Sequence, residues 1–247
     1  MGIDESPIAI VTGANHPTGL GAGRALFRAG ASVLGLTGLP MAPPVHSRVW
    51  RELHVVQGDL DSWVERVREL GDRAGRPVFL LPTSDRLVEE FSRRRAALGD
   101  NIRLTLPPHA TVELMLDKTR FYAWAKERSL PVPESVVIQS GERLRQVLSR
   151  IEYPVILKPL LRTAAWNRAS PTHKAYKLLR ASDLDRIPFA LFEVAPAYLV
   201  SRWIEGPDSA VHYCLAHCAR AGEIDVAATG RKLLQYPRQT GSTAICV

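Results

Sequence analysis

Residues 153–159 read Tyr-Pro-Val-Ile-Leu-Lys-Pro. Val155, Ile156 and Leu157 form a short apolar run between prolines, the composition of a buried strand, and Lys158 closes it. An ammonium drawn into a low dielectric is costly unless an anion meets it. A lysine in this position therefore either reaches water along its own alkyl stem or holds an anionic group, and phosphate oxygens are such a group.

Outward from this strand the second half of the chain reads as strands at 135–138, 153–158, 174–179, 198–204, 210–218 and 224–234, with helix chiefly at 142–151. Two helical pieces, 110–116 and 118–128, precede them and end at Leu130-Pro-Val-Pro133, whose prolines stop a helix and favour extended chain. This is an α+β pattern with antiparallel pairing. Residues 7–108 differ, because short apolar runs (8–11, 32–36, 53–57, 77–81) alternate with amphipathic helices, which implies a Rossmann-like parallel sheet covered on both faces. The expected class is therefore α/β, with a Rossmann-like domain at 1–108 and a second domain at 109–247.

The 247 residues are 46% hydrophobic and 23% charged, which excludes a disordered chain. No apolar run approaches the ~18 residues of a membrane span. The start, Met-Gly-Ile-Asp-Glu-Ser-Pro, carries acids where a secretory signal carries bases, so a cytoplasmic location is expected. Cys214, Cys218 and Cys246 are too few for a disulfide framework. The net charge of +7 invites an anionic partner. Its arginines, however, are scattered along helices with no nucleic-acid module or aromatic-interleaved stripe, so neither nucleic acid nor membrane is the expected partner.

Thr12-Gly-Ala-Asn-His-Pro-Thr-Gly-Leu-Gly-Ala-Gly23 follows a strand and opens a helix, where backbone amides face an anion. Together with Tyr122-Ala-Trp-Ala-Lys126 it brings the short-chain NAD(P)-dependent dehydrogenases into view. Two extra residues in the glycine pattern and the lack of a serine a dozen residues before Tyr122 argue against that reading, and a packing role for Tyr122 is expected instead.

A more specific signal is a series of motifs in order: Leu81-Pro-Thr-Ser-Asp85, Leu116-Asp-Lys118, Leu130-Pro-Val-Pro133, Tyr153-Pro-Val-Ile-Leu-Lys-Pro159, the run Leu199-Val-Ser-Arg-Trp-Ile-Glu-Gly-Pro-Asp208, and Thr229-Gly-Arg-Lys232. In order and context the series resembles the ATP-grasp superfamily, more closely its carboxylate–amine ligases (carboligase type) with a Rossmann-like domain in front, and it covers essentially the whole chain. The resemblance implies a first ATP-grasp lobe at about 130–203 and part of a second at 204–247. It implies an ATP-dependent ligase that joins a carboxylate to an amine or similar nucleophile through an acyl-phosphate. A non-catalytic ATP-binding module is the alternative. The implied partners are small-molecule carboxylate and amine substrates, and a homodimer is left open.

By the same resemblance, Lys118 and Lys158 hold the α and β phosphates, with Lys174 beside them. Ser201, Trp203 and Ile204 form the hinge that reads and walls the base, and Asp208, with Glu205 as second candidate, accepts from the ribose. Arg231 or Lys232 serves the transferring group catalytically, Arg231 being preferred for its planar fork. Only six lysines occur among 32 basic residues, and four of them lie in or beside these motifs.

Two departures stand out. The segment 161–173, where many relatives carry a glycine-rich lid, has no glycine; Arg162, Thr163 and Arg168 are its candidates for closing over phosphate. The Mg²⁺ ligands of the superfamily, a Glu and a later Glu-x-Asn, lie beyond the last motif present, so no metal ligand is assigned. The second lobe reads as incomplete, and this polypeptide alone is expected to be a weak or inactive catalyst. Asp85 is expected to cap its helix, and the cluster His212-Tyr-Cys-Leu-Ala-His-Cys218 to be a buried strand and not a metal site.

Overall fold

In the computed structural model, which describes residues 6–139, 141–160, 163–170, 175–187, 194–195, 197–219, 222–236 and 242–247, the run Ile8-Ala-Ile-Val-Thr12 is a strand, β1 (Ile8–Thr12). It lies central in a parallel sheet, in the order β3 (Trp50–Val55), β2 (Ser32–Thr37), β1, β4 (Val78–Leu81), β5 (Ile102–Leu104). Alternate residues face opposite ways, and both faces are covered. Val11 and Val33 pack with Leu20 and Leu26 of α1 (Pro17–Arg28). Ile10, Leu34 and Leu36 pack with Val64, Val67 and Leu70 of α2 (Leu60–Ala74) and with Leu87 and Phe91 of α3 (Asp85–Arg93). Double burial explains why these strands read as unbroken apolar runs.

The chain divides into two compact units, Met1–Asp117 and Lys118–Val247. The first also holds α4 (His109–Leu116). In this unit the glycines make room. Gly13 has φ +65°, and a Cβ on Gly19 would stand 2.2 Å from the Gly13 carbonyl oxygen. A Cβ on Gly23 would stand 2.6 Å from the Trp50 ring. The Trp50 indole donates to the Pro44 carbonyl at 3.0 Å and fills the space over Gly23 and Gly35, so β3 starts at Trp50, three residues before the apolar run that marks it in the sequence. The arginines do more than coat helices: Arg95 donates to the carbonyls of Leu104, Leu106 and Pro107, and Arg93 pairs with the buried Glu90.

The second unit begins with α5 (Lys118–Glu127) and builds an antiparallel sheet in the order β6 (Ser135–Ile138), β9 (Tyr198–Arg202), β7 (Val155–Pro159), β8 (Tyr176–Leu178). One face of this sheet, Ile138, Tyr198, Val200, Val155, Leu157 and Leu178, is buried under Leu144 and Leu148 of α6 (Gly141–Leu148) and Trp166 of α7 (Ala164–Ala169). Trp166 is fully buried, with its ring edge-on to Tyr176 and tilted against Tyr198. A second sheet, β10 (His212–Cys218), β11 (Ile224–Tyr236) and β12 (Ser242–Cys246), is antiparallel throughout.

Three sequence expectations change. The strand at 212–218 forms but is exposed along nearly its whole length, because no described element covers it. Ser84, not Asp85, is the N-cap residue of α3, and Asp85 is its first helical residue. The segment 161–173 is in part the short helix α7, whose N-cap Thr163 accepts from the Trp166 amide at 2.9 Å. β5 and β12 were not expected.

The close approach at Gly19 gives a paired test. Gly19→Ala should cost about 1–3 kcal/mol by forcing β1 and α1 apart. Gly21→Ala, where a Cβ meets nothing within 4 Å, should stabilise α1 by about 0.5–1 kcal/mol. Urea unfolding of the two variants measures both signs.

Candidate functional site

Strand register decides which side chains share the face of the β6–β9–β7–β8 sheet that turns away from its core. Ser135 pairs with Ser201, Ser201 with Ile156, Leu199 with Lys158, and Ile156 with Lys177. Residues directly opposite each other lie on the same face. This face therefore carries Ser135, Val137, Leu199, Ser201, Ile156, Lys158 and Lys177, of which Leu199 and Ser201 are buried and the two lysines partly exposed.

Lys158 is half-buried, and its ammonium is held below the ordinary lysine pKa, first by desolvation and then by the charge of Lys118. Lys118, at the start of α5, donates from Nζ to the Leu160 carbonyl at 3.2 Å, two residues along from Lys158. Among the described residues no carboxylate acts on Lys158. Two cations gathered on a partly desolvated strand end, with no acid between them, form a receptacle for an anion.

The hinge segment starts at Ser201, which is buried, with its hydroxyl 2.7 Å from that of Ser135. β9 lies between β6 and β7, so the backbone there is committed to ladders on both edges. The Arg202 amide donates to Glu134 and the Trp203 amide to Pro154. Past them, the amides of Ile204 and Glu205 donate to no backbone group among the described residues. Ile204 is 75% exposed. The open backbone edge of the hinge is thus at Ile204 and Glu205, next to an uncovered apolar side chain.

Asp208 opens a short 3₁₀ turn, Asp208–Ala210. Its two oxygens accept from the Gln235 side chain at 2.6 Å and the Gln235 backbone amide at 3.1 Å. Gln235 is buried and in turn accepts from Lys232 Nζ at 3.1 Å. The chain Lys232–Gln235–Asp208 ties β11 to the hinge turn. Arg231, the residue before Lys232, is exposed, and its backbone is paired both ways with Val247. Lys232 rather than Arg231 is therefore turned toward Asp208.

Lys174, Arg162 and residues 171–173 lie outside the described residues. Thr163, a candidate for the lid, is already engaged: its hydroxyl caps α7 and donates to the Val194 carbonyl at 2.9 Å. Arg168 is exposed at the end of α7. The phenol of Tyr122 accepts from the Ser135 amide at 3.0 Å and so pins β6. Among the described residues no three His, Cys, Asp or Glu side chains are placed together to hold a metal ion. Cys214, Cys218 and Cys246 are free thiols on the exposed sheet.

In the first unit, strand order reverses between β1 and β4. There a crevice of about 370 Å³ opens at the carboxyl ends of the strands, lined among others by Asn15, His16, Ser84 and Arg86. Thr12 and Thr83 lock its floor, the Thr83 amide donating to Thr12 Oγ1 and Thr83 Oγ1 to the Thr12 carbonyl. Ligands of open parallel sheets favour such a switch point.

Three solved structures are similar to this chain over nearly all of its length. The ADP complex of the N5-carboxyaminoimidazole ribonucleotide synthetase purK has a TM-score of 0.69 at 14% identity over 94% of this chain and 55% of its own. The biotin carboxylase domain of a 2-oxoglutarate carboxylase from Hydrogenobacter thermophilus, with MgADP, ADP and bicarbonate, has a TM-score of 0.65 at 18% identity, over 94% of this chain and 51% of its own. An L-amino acid ligase from Bacillus licheniformis has a TM-score of 0.63 at 15% identity, over 92% and 50%. The chain has the ATP-grasp fold. It spans about half the length of these ATP-grasp structures. No family model and no curated protein sequence matches it. Among the described residues no helix is long and apolar enough to cross a membrane.

Sequence reasoning missed Lys177 and Gln235. Lys177 stands only three residues from Lys174, but its place beside Ile156 depends on the pairing of β7 with β8, which local sequence does not encode.

The depressed pKa of Lys158 has a stability consequence with a definite sign. Between that lowered value and the ordinary 10.5 of lysine, the unfolded chain binds more protons than the folded one, so stability rises with pH across the window. Below the window both states are protonated and the penalty is present in full. Lys158→Met should remove this component, leaving a variant at least as stable as wild type near neutral pH and with a flatter stability profile on the alkaline side, read by urea unfolding at stepped pH.

Proposed function

We propose that this chain binds ATP on the sheet face that carries Lys158, and that it belongs to an ATP-dependent ligation in which a carboxylate is activated as an acyl-phosphate and captured by an amine or similar nucleophile. The observation that carries the reading is Lys158 itself. A half-buried ammonium that is destabilised by its surroundings, beside a second lysine and with no acid acting on it among the described residues, is poised to gain a phosphate. The ATP-grasp fold, seen with ADP in two of the similar structures, supports the same assignment.

In this reading Lys158 and Lys118 neutralise phosphate oxygens, and anion binding restores the ordinary basicity of Lys158. The open amides of Ile204 and Glu205 offer donors to the base edge, with Ser201 supporting the hinge from within the sheet and Trp203 and Ile204 as apolar walls. Asp208 is the ribose acceptor, held in place by Gln235. Lys232 is joined to Asp208 through Gln235, and Arg231 and Lys232 both remain the candidates for the transferring group. Lys174 completes the set proposed from the sequence. The chemistry supplied by these side chains is positioning and charge neutralisation. The switch-point crevice of the first domain, proposed as residues 1–108, is assigned to the carboxylate substrate, which Arg86 suits in charge. The second domain, 109–247, is assigned to the nucleotide.

Thermal-shift measurements of the chain with ATP, with ADP and with NADH test the reading. ATP and ADP should raise Tm and NADH should not. At ligand concentrations near 100 times Kd the stabilisation is about 2.7 kcal/mol, and Lys158→Met should abolish most of it without lowering the Tm of the free protein. Stabilisation by NADH alone would overturn the assignment.

A further inference from the structure

On the nucleotide face, beside Ile156, stands a side chain that none of the sequence motifs assigns. Lys177 on β8 is the register partner of Ile156 on β7. Its ammonium sits 4.7 Å from the centroid of the Trp203 ring and 2.8 Å from the Glu205 carboxylate, and its side chain is only 20% exposed. The Glu205 carboxyl is held below the usual carboxylate range, first by its hydrogen bond from Lys177. A lysine side chain carries considerable rotamer freedom, and here two contacts restrict it: an aromatic face on one side and a carboxylate on the other.

The position of these groups sets what the lysine can do. Trp203 leaves the end of β9 with its amide on the Pro154 carbonyl, at the start of β7, so the indole stands at the edge of the sheet next to Ile156. Glu205 belongs to the open backbone of the hinge. Ile156, Trp203 and Lys177 thus give an apolar floor, an aromatic edge and a cation beside them, one inter-strand pair along β7 from Lys158, which is opposite Leu199 and not Lys177. A cation restrained above a flat apolar floor attracts a second π face as it attracts the first, and an extended aromatic surface gains the most from it.

Resting on the nucleotide reading above, we propose that Lys177, anchored by Glu205 and Trp203, is a base-clamping residue that selects purine over pyrimidine nucleoside triphosphates. It does so by covering the face of the base that lies on Ile156. It contacts the base and not the phosphates, and that separates its role from those of Lys118 and Lys158.

Isothermal titration of the full chain with ATP, CTP and inorganic tripolyphosphate, in wild type and Lys177→Met, tests the proposal. The variant should bind ATP about tenfold more weakly, lose less affinity for CTP, and keep its affinity for tripolyphosphate within about twofold. Lys177→Arg should recover most of the ATP affinity, since the planar cation also stacks on aromatic faces. Should the methionine variant fail to fold, Lys177→Gln retains a donor toward Glu205 and is expected to show the same split between ATP and tripolyphosphate. Equal losses for ATP and tripolyphosphate would make Lys177 a phosphate cation and overturn the clamp, as would an unchanged ATP affinity. A wild-type chain that binds neither ATP nor tripolyphosphate overturns the nucleotide reading itself, and the clamp with it.

Discussion

A positive charge on which no carboxylate acts among the described residues is the constraint around which the second unit is arranged. The strand β7 must be apolar on its inner side, because Val155 and Leu157 lie under Trp166 and the helix α6. On its other side it carries Ile156 and then Lys158, and burying the strand partly buries the ammonium. Desolvation and the neighbouring Lys118 both work against its charge. A side chain kept at such a disadvantage in the free protein is a site where an anion gains more than it would at an exposed lysine.

The rest of the unit fixes this face, on which Leu199 and Ser201 are buried and Ile156, Lys158 and Lys177 only partly so. Trp166, fully buried between Tyr176 and Tyr198, holds α7 on the core side. Thr163 is spent on capping that helix and on the Val194 carbonyl. The hydroxyl pair Ser135–Ser201 and the Tyr122 phenol on the Ser135 amide pin β6 to β9 and to α5. Asp208, Gln235 and Lys232 tie the hinge turn to β11, so the strand that carries the candidate catalytic cations is fastened to the segment that carries the candidate ribose acceptor. In the first unit comparable closeness is achieved by omission of side chains: Gly19 allows the helix α1 to meet the Gly13 carbonyl, and Gly23 and Gly35 admit the Trp50 indole.

Much of this was legible in the sequence, and the reasons differ by element. The runs at 8–11 and 33–36 carry no polar side chain because helices cover both faces of the parallel sheet. The strands at 135–138 and 198–202 show their inward positions directly, and their ends are marked by proline, glycine or charge. The glycine-rich opening reads as a strand-to-helix turn whose amides can face an anion, and the structure adds that Gly19 and Gly23 are required by packing against Gly13 and Trp50. The segment 161–173 read as a lid from its position, while Trp166 at its centre belongs to the core. The strand at 212–218 was expected to be buried because its side chains are small or apolar, but burial depends on what lies opposite, which the strand's own composition does not state.

By itself the sequence determined the alternation of strands and helices in the first half, the antiparallel character of the second, and the lysine at the end of an apolar strand. These are local properties, set by side-chain periodicity and by the backbone limits of proline and glycine within a few residues. Tertiary structure alone decided that Lys177 stands beside Ile156, that Lys232 rather than Arg231 turns toward Asp208, and that Gln235 holds that aspartate. Each depends on which strand pairs with which and in what register, and a shift of one residue would send every one of these side chains to the other face.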